Sequence, residues 1–412
     1  MSDEVQKQEE EVLQMGRSTW NVLTIGVGQG GGKAAFYVAN KFNCKEDALY
    51  INSSSKDLES LENAANPSQV IKLGENVEGS GKDREVSERL LGVFYNTVID
   101  RIKVQMKKKK YNFIFVVFST SGGTGSGIGP KLTALLTSQE FLASVEDYAE
   151  DERPLVFGIA LLPEISDLEG TKSLKNTLLT LDDINSCVNN PRTGYPIARY
   201  ILVTNGSVPV KNSENKQSAQ HLRINNMIAD YLHRYLTMYG HSRLSHTDRN
   251  DRLKSLEVMG LHSFGSLTPV TTPAGTIYTT GATPFIIPEG ERVRLVTYEV
   301  ADSDEVNIIN FFKNSGLVID DQIAGYFDTN WRGNKGFTNI IGFHGFRNIS
   351  KISERYSDRL NKILLDDAKR EQENITAAKG LDNLTIVTET VKNEYGRKNA
   401  ATFADILGKS GK

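Results

Sequence analysis

Two glycine clusters are the residues of this chain best suited to chemistry. The first is Gly26-Val27-Gly28-Gln29-Gly30-Gly31-Gly32, followed by Lys33. The second is Ser121-Gly122-Gly123-Thr124-Gly125-Ser126-Gly127. A ligand with several phosphates needs donors at close range. Backbone N–H groups at a glycine-rich turn feeding a helix N-terminus supply them, and the helix dipole adds attraction. The first cluster follows the apolar segment NVLTI (21–25) and precedes residues of helical composition at 33–42, the context its G-x-G-x-x-G requires. Alone it is a weak signal, because glycines at such a turn could serve only tight packing. The second follows the apolar run 111–118. A flexible linker fits badly there, since so apolar a strand belongs to a sheet core. The first loop is not a Walker A: Ala34 stands where Ser or Thr should be, and Val27 where the first glycine would fall. A standard dinucleotide site wants an acidic residue about 20 residues on, at the end of the second strand. That strand ends at Asn52-Ser53-Ser54-Ser55.

The surrounding pattern alternates strand and helix. Strands are expected at 21–25, 48–51, 111–118, 155–162 and 200–203. A helix is expected at 87–106, with Leu90, Leu91, Phe94, Val98 and Ile99 on one face. This is the pattern of a doubly wound α/β parallel sheet. Two loops at the C-terminal ends of its strands would open on one crevice and could hold the two ends of a polyphosphate. Residues 206–220 read as a polar loop and 220–239 as a long helix. Residues 262–300 are rich in Thr, Gly, Pro and β-branched residues, with strands expected at 293–300 and 339–346, and a charged amphipathic helix at 350–373. The organisation is therefore a polar lead-in at 1–18, a nucleotide-binding domain at 19–219, a central helix at 220–245, a second smaller α+β domain at 246–349, and a C-terminal helix and tail at 350–412.

Bulk composition excludes several classes. Of 412 residues, 39% are hydrophobic and 24% charged, an ordinary globular balance, and the net charge of −3 gives no global pull towards nucleic acid or membrane. Cys44 and Cys187 lie far apart without metal spacing, which fits a reducing compartment and a cytoplasmic location. No signal peptide is expected at the acidic N-terminus, no apolar run approaches the roughly 18 residues of a membrane span, and no membrane partner is expected. The Lys107–Lys110 run reads as a solvated helix end complementing the dipole.

The stretch Ser121–Gly127 closely resembles the signature loop of the tubulin/FtsZ superfamily, usually GGGTGSG or GGGTGTG, with Ser121 replacing its first glycine. Gly26–Gly32 resembles the family's first nucleotide loop, and Asn52-Ser53-Ser54 its second. Lys72-Leu73-Gly74 with Gly79-Ser80-Gly81 resembles the third loop, which senses the terminal phosphate. The likeness reaches from about residue 20 to about residue 260. It implies a GTPase that binds GTP or GDP with Mg²⁺, the metal held mainly through phosphates and water. The implied nucleotide contacts are Gly28, Gln29, Gly30, Gly31, Lys33, Asn52, Ser53, Gly81 and the run Gly122, Gly123, Thr124, Gly125, Ser126, Gly127. By position, Glu169 would hold the ribose; the arginine that FtsZ proteins often place four residues later is here Ser173. Asn205 and Asn225 would read the guanine edge, and His221 would stack on the base.

His246-Thr247-Asp248-Arg249-Asn250-Asp251 stands where FtsZ proteins have Asn-x-Asp-x-x-Asp, with Met259-Gly260 following at a similar distance. Two carboxylates at i and i+3 share one side of a helix turn, or could simply cap it. The resemblance implies that Asp248 and Asp251 are catalytic, lie far from the protomer's own nucleotide, and enter the next protomer's pocket in a head-to-tail filament. The chain lacks the disordered linker and apolar-basic end peptide of cell-division FtsZ. Its C-terminal organisation is more like the TubZ and phage-tubulin branch, whose filaments move plasmid or phage DNA and whose tails can recruit a DNA-bound adaptor. Residues 351–412 carry about 12 basic and 10 acidic residues, so charge alone does not predict direct DNA binding. The competing expectations are an FtsZ-type division GTPase, an NAD-type oxidoreductase using the first loop, and a nucleotide-binding scaffold that polymerises without hydrolysis.

Overall fold

The computed structural model describes residues 20–62, 66–75, 77–146, 148–165, 170–204, 216–237, 249–272, 275–280, 283–301, 305–327 and 340–379. The chain divides into two compact units, Met1–Asn361 and Lys362–Lys412. In the second, residues 362–379 are helical, with Leu364 and Leu365 exposed.

The first unit starts with β1 (Val22–Val27), α1 (Gly28–Lys41), β2 (Leu49–Asn52), α2 (Ser55–Glu62) and β3 (Val70–Lys72). Next come α3 (Arg84–Val93), α4 (Tyr95–Met106), β4 (Phe113–Ser119), α5 (Gly123–Thr137), α6 (Gln139–Ala143), β5 (Leu155–Leu162), α7 (Thr171–Val188) and β6 (Arg199–Thr204). The chain continues with α8 (Lys216–Thr237), α9 (Arg249–Glu257), β7 (Gly260–Thr272), β8 (Gly275–Thr280) and β9 (Arg292–Ala301). It then forms α10 (Glu305–Asn314), β10 (Val318–Phe327) and β11 (Ile340–Phe346); helix α11 (Ser350–Lys379) begins in this unit and ends in the second.

The strands form one sheet in the order β10-β9-β11-β7-β6-β5-β4-β1-β2-β3, with β8 paired to β7. From β3 to β7 every neighbouring pair is parallel, and β11 runs antiparallel to both β7 and β9. The parallel part is therefore a doubly wound 3-2-1-4-5-6 sheet, whose strand order reverses between β1 and β4. β1 and nearly all of β4 are buried, which explains why they read as unbroken apolar runs rather than alternating ones. The Thr-rich segment expected to be separate in texture joins the same sheet through the β6–β7 pairing.

Three boundaries differ from the sequence reading. Helix α1 begins at Gly28, inside the glycine cluster. An added Cβ on Gly26 would lie 2.6 Å from Gly32 Cα, and one on Gly31 would lie 2.2 Å from Val117 O, so these glycines let the helix press on the sheet. The helix expected at 87–106 starts earlier, because Asp83 caps it at Val86 N. It then breaks at Phe94, two residues after Gly92. Residues 216–220 are helical rather than loop.

The core joins the sheet to α8. Ile224, Ile228, Leu232, Tyr235 and Leu236 pack with Phe113, Phe115 and Phe157. At the far end of α8, the Trp20 indole donates to Leu236 O (2.7 Å) and ties the helix end to the start of β1.

Candidate functional site

Helices α1 and α5 both begin at the C-terminal edge of the sheet, from the adjacent parallel strands β1 and β4, where Val27 lies opposite Phe118. This is the strand-order reversal, where open α/β sheets form a crevice. Neither start is closed by its own sequence. The caps Val27 and Gly122 make no side-chain cap bond, and neither first turn contains an acidic residue. Two helix starts thus lack the side-chain caps that satisfy orphan N–H groups elsewhere, and their positive dipole ends are uncompensated. They also touch. Gly28, at φ +71°, would place a Cβ 3.0 Å from Gly125 N, and Gly125 would place one 2.5 Å from Ser119 O. Gly122 and Gly81 have open space where a side chain would start.

The end of β2 joins them. Asn52 Oδ1 accepts from Ser53 N (2.8 Å) and from the Thr124 hydroxyl (3.4 Å), and the Ser53 and Thr124 hydroxyls are 3.1 Å apart. Asn52 Nδ2 in turn donates to Asp57 (3.2 Å). Where a dinucleotide site would hold an acid, this strand carries a buried amide that organises the second loop. The third loop closes the group: Gly79 N donates to Ser53 O (3.2 Å), and a Cβ on Gly123 would collide with Ser80 Oγ. The non-glycine Lys82 holds φ +60° next to the capping Asp83.

Several residues outside the recognised motifs hold this arrangement. The buried Asn176 amide donates to Lys82 O (3.0 Å), Ser121 O (3.3 Å) and Gly122 O (3.4 Å), and Lys172 Nζ donates to Gly81 O (3.1 Å). Arg84 pairs with Glu88 (2.8 Å) and Asp183 and donates to Thr180 (3.3 Å); burial pushes the Asp183 carboxyl up despite that partner. The signal for Asn176 was present in the sequence, as a polar residue within the buried face Leu174–Thr177–Leu181–Ile184 of α7.

The remaining sequence candidates separate. Gln29 and Lys33 are exposed on α1. Asp230 of α8 pairs with Lys41 at the end of α1 (2.5 Å). At 1.5 Å per residue, Asn225 therefore lies about 7 Å nearer the crevice than Asp230, and His221 about 13 Å nearer. Asn225 is half-buried and His221 exposed. Asp251 lies in the first turn of α9. That helix meets α8 near its far end, where Tyr235 OH and Ser255 Oγ are 3.0 Å apart. The carbonyl of its last residue, Glu257, accepts from Arg199 at the N-terminal start of β6 (2.7 Å). The helix that carries Asp251 in its first turn is thus held at the sheet edge opposite the glycine loops, and β4 between the two edges spans about 20 Å. Glu169, Asn205 and Asp248, the 1–18 lead-in and the tail beyond 379 lie outside the described residues.

The pattern of the Tubulin/FtsZ family, GTPase domain, matches residues 21–190, a range that spans all three loops described above. Residues 21–190 therefore carry a tubulin/FtsZ-family GTPase domain. The chain is 32% identical over 112 residues to the tubulin-like protein TubZ of Clostridium botulinum C phage. It is 26% identical over 246 residues to the tubulin-like protein CetZ of Methanothrix thermoacetophila. These stretches cover 26% and 56% of this chain but only 28% and 59% of those relatives' own lengths. Its fold is similar to a GTPγS-form protofilament of Bacillus thuringiensis serovar israelensis TubZ, at TM-score 0.66 and 15% identity over 90% of this chain and 99% of that one. C. botulinum phage c-st TubZ matches at TM-score 0.59 and 16% identity, over 84% and 98%. Among the described residues, no helix is long and apolar enough to cross a membrane. Nor could any group of three or more His, Cys, Asp and Glu side chains among them hold a metal.

Proposed function

We propose that this chain binds GTP in the crevice between β1 and β4 and hydrolyses it within a head-to-tail filament. The observation that carries this reading is the pair of helix starts without side-chain caps, from adjacent strands, with the hydroxyls of Ser53 and Thr124 between them. An anion gains from both dipoles and from both sets of N–H groups at once. The first loop (Gly28, Gln29, Gly30, Gly31, with Lys33) and the second (Gly122–Gly127) hold the phosphates, while Asn52, Ser53 and Gly81 line the third side. Glu169 takes the ribose, Asn205 and Asn225 read the guanine edge, and His221 stacks on the base. An amide suits that edge, because it offers a donor and an acceptor together.

The oxygen donors around the crevice suit a hard cation such as Mg²⁺, which would keep phosphate and water ligands beside Thr124. When bound, it neutralises charge developing on the transferred phosphoryl oxygens. Protein-derived catalysis is then positioning. The placement of Asp251 towards the opposite sheet edge supports its carboxylate, with that of Asp248, entering the next subunit's pocket and orienting the attacking water there. A heterologous interface of this kind propagates into open filaments. Two neighbours of similar fold are themselves described as GTPγS-form and GDP-form protofilaments of TubZ. On this reading the filament acts in the cytoplasm to position plasmid or phage DNA. The domain at 19–219 binds nucleotide, the 220–245 helix and the 246–349 domain present the carboxylates, and the 350–412 region recruits a DNA-bound adaptor.

Sedimentation with GTP against GDP, with phosphate release followed in parallel, tests the proposal. Pelleting and phosphate release with GTP but not GDP are expected; a purified protein with no affinity for guanine nucleotides would overturn it.

A further inference from the structure

Helix α7 grips two loops at once. Its first turns place Lys172 on the Gly81 carbonyl and Ser173 Oγ 3.4 Å from Lys82 Nζ. One turn further on, the Asn176 amide reaches Lys82 O in the third loop and the consecutive carbonyls of Ser121 and Gly122 in the second. Asn176 is only 5% exposed, so its donors face these carbonyls rather than water. In a planar trans peptide, the carbonyl of one residue and the N–H of the next point in opposite directions. Holding the Ser121 and Gly122 carbonyls towards α7 turns the N–H groups of Gly122 and Gly123 away from it, at the start of α5 where no side chain caps them.

We propose that Asn176 is a positioning residue for phosphate binding: its buried carboxamide aims the second-loop N–H groups and sets the third loop against them. This rests on the reading of the crevice as a GTP site. The third loop is held through its Lys82 carbonyl at a residue with left-handed backbone, a conformation that a non-glycine side chain adopts only when its surroundings enforce it. Helix α7 is thereby a shared strut, and a ligand that engages one loop finds the other already set.

Fluorescent GTP and GDP analogues are titrated against the full chain and against Asn176→Asp, Asn176→Ala and Asn176→Gln, with thermal unfolding measured without nucleotide. Asn176→Asp replaces a donor with an acceptor against three carbonyls. It should weaken GTP binding by about tenfold or more, since carbonyls no longer held by a donor let the loop N–H groups turn off the charged phosphates, each such bond being worth about that factor, and weaken GDP binding less. Its unfolding midpoint should stay within a few degrees of the parent. Asn176→Ala should follow it, and Asn176→Gln, which keeps the NH₂, should bind better than Asn176→Asp. GTP affinities within about twofold of the parent would overturn the proposal. So would variants that fail to fold, or that lose GTP and GDP equally and in step with stability, because Asn176 would then be a structural strut only. If the parent itself binds neither nucleotide, the GTP reading fails instead.

Discussion

Two glycines of the crevice are glycine for opposite reasons, and substituting each tests the geometry. At Gly31 an added methyl would sit 2.2 Å from Val117 O and 2.8 Å from Phe118 Cα, both backbone atoms of β4. Reaching ordinary contact at 3.4 Å requires α1 to retreat by about 1.2 Å along its whole packed face. Overpacking of this kind costs ~1–3 kcal/mol, occasionally more. At ~2.1 cal/mol/K of unfolding entropy per residue, the unit Met1–Asn361 shifts by about 1.3 °C per kcal/mol, so Gly31→Ala should lower the unfolding midpoint by roughly 1–4 °C. It should also weaken nucleotide binding, because the first loop moves with the helix. At Gly122 an added methyl meets nothing within 4 Å, and φ −80°, ψ 171° suits alanine. Gly122→Ala should therefore leave the midpoint within about 2 °C, the effect of a cap position with no side-chain bond to lose. It should still weaken GTP binding about tenfold, because the methyl crowds the close backbone approach that phosphate needs. Thermal unfolding by circular dichroism and nucleotide titration read both effects. A neutral Gly31→Ala, or a Gly122→Ala that unfolds early but binds normally, would refute the geometry.

Other consequences concern chemistry and pH. Asp251→Ala should bind GTP and polymerise but release phosphate about a hundredfold more slowly, the scale of losing the group that orients the attacking water, and its filaments should persist; brisk turnover by this variant would remove Asp251 from the reaction. His262 is wholly buried, with Nε2 2.8 Å from Val258 O and Nδ1 3.0 Å from His344 Nδ1. Burial, reinforced by the Arg199 charge, pushes its pKa down to about 3. The unfolded chain takes up that proton near 6.5, so stability is full above that pH and falls as pH drops from 6.5 towards 3. Denaturant unfolding should show this slope, and His262→Gln should flatten it; an equal slope in the variant would assign the loss to other groups.

The parallel half of the fold was legible because its strands, buried on both faces, leave unbroken apolar runs such as Phe113–Phe118 and Leu155–Leu162. The glycine clusters were legible as strand-to-helix turns, while the sequence posed packing and anion binding as rivals. The structure shows tight packing at Gly31 in the first cluster, pressed on backbone, and open space at Gly122 in the second. The break at Phe94 was hidden, since the apolar face Leu90–Val98 continues across it and a one-residue interruption leaves the period intact. Asn176 was legible only as a polar residue on a buried helix face; what it holds was not, because its partners are main-chain carbonyls, which carry no sequence identity. The attachment of β11 between β7 and β9 depends on long-range antiparallel pairing, which short-range periodicity does not encode.

Phosphate release per subunit, measured across a range of protein concentrations at saturating GTP, addresses the central claim most directly. A pocket completed by carboxylates from a neighbour predicts negligible turnover in dilute solution and a steep rise once filaments form. A turnover per subunit that stays constant from dilute to crowded solution would mean that one subunit holds the whole active site, and would contradict the account.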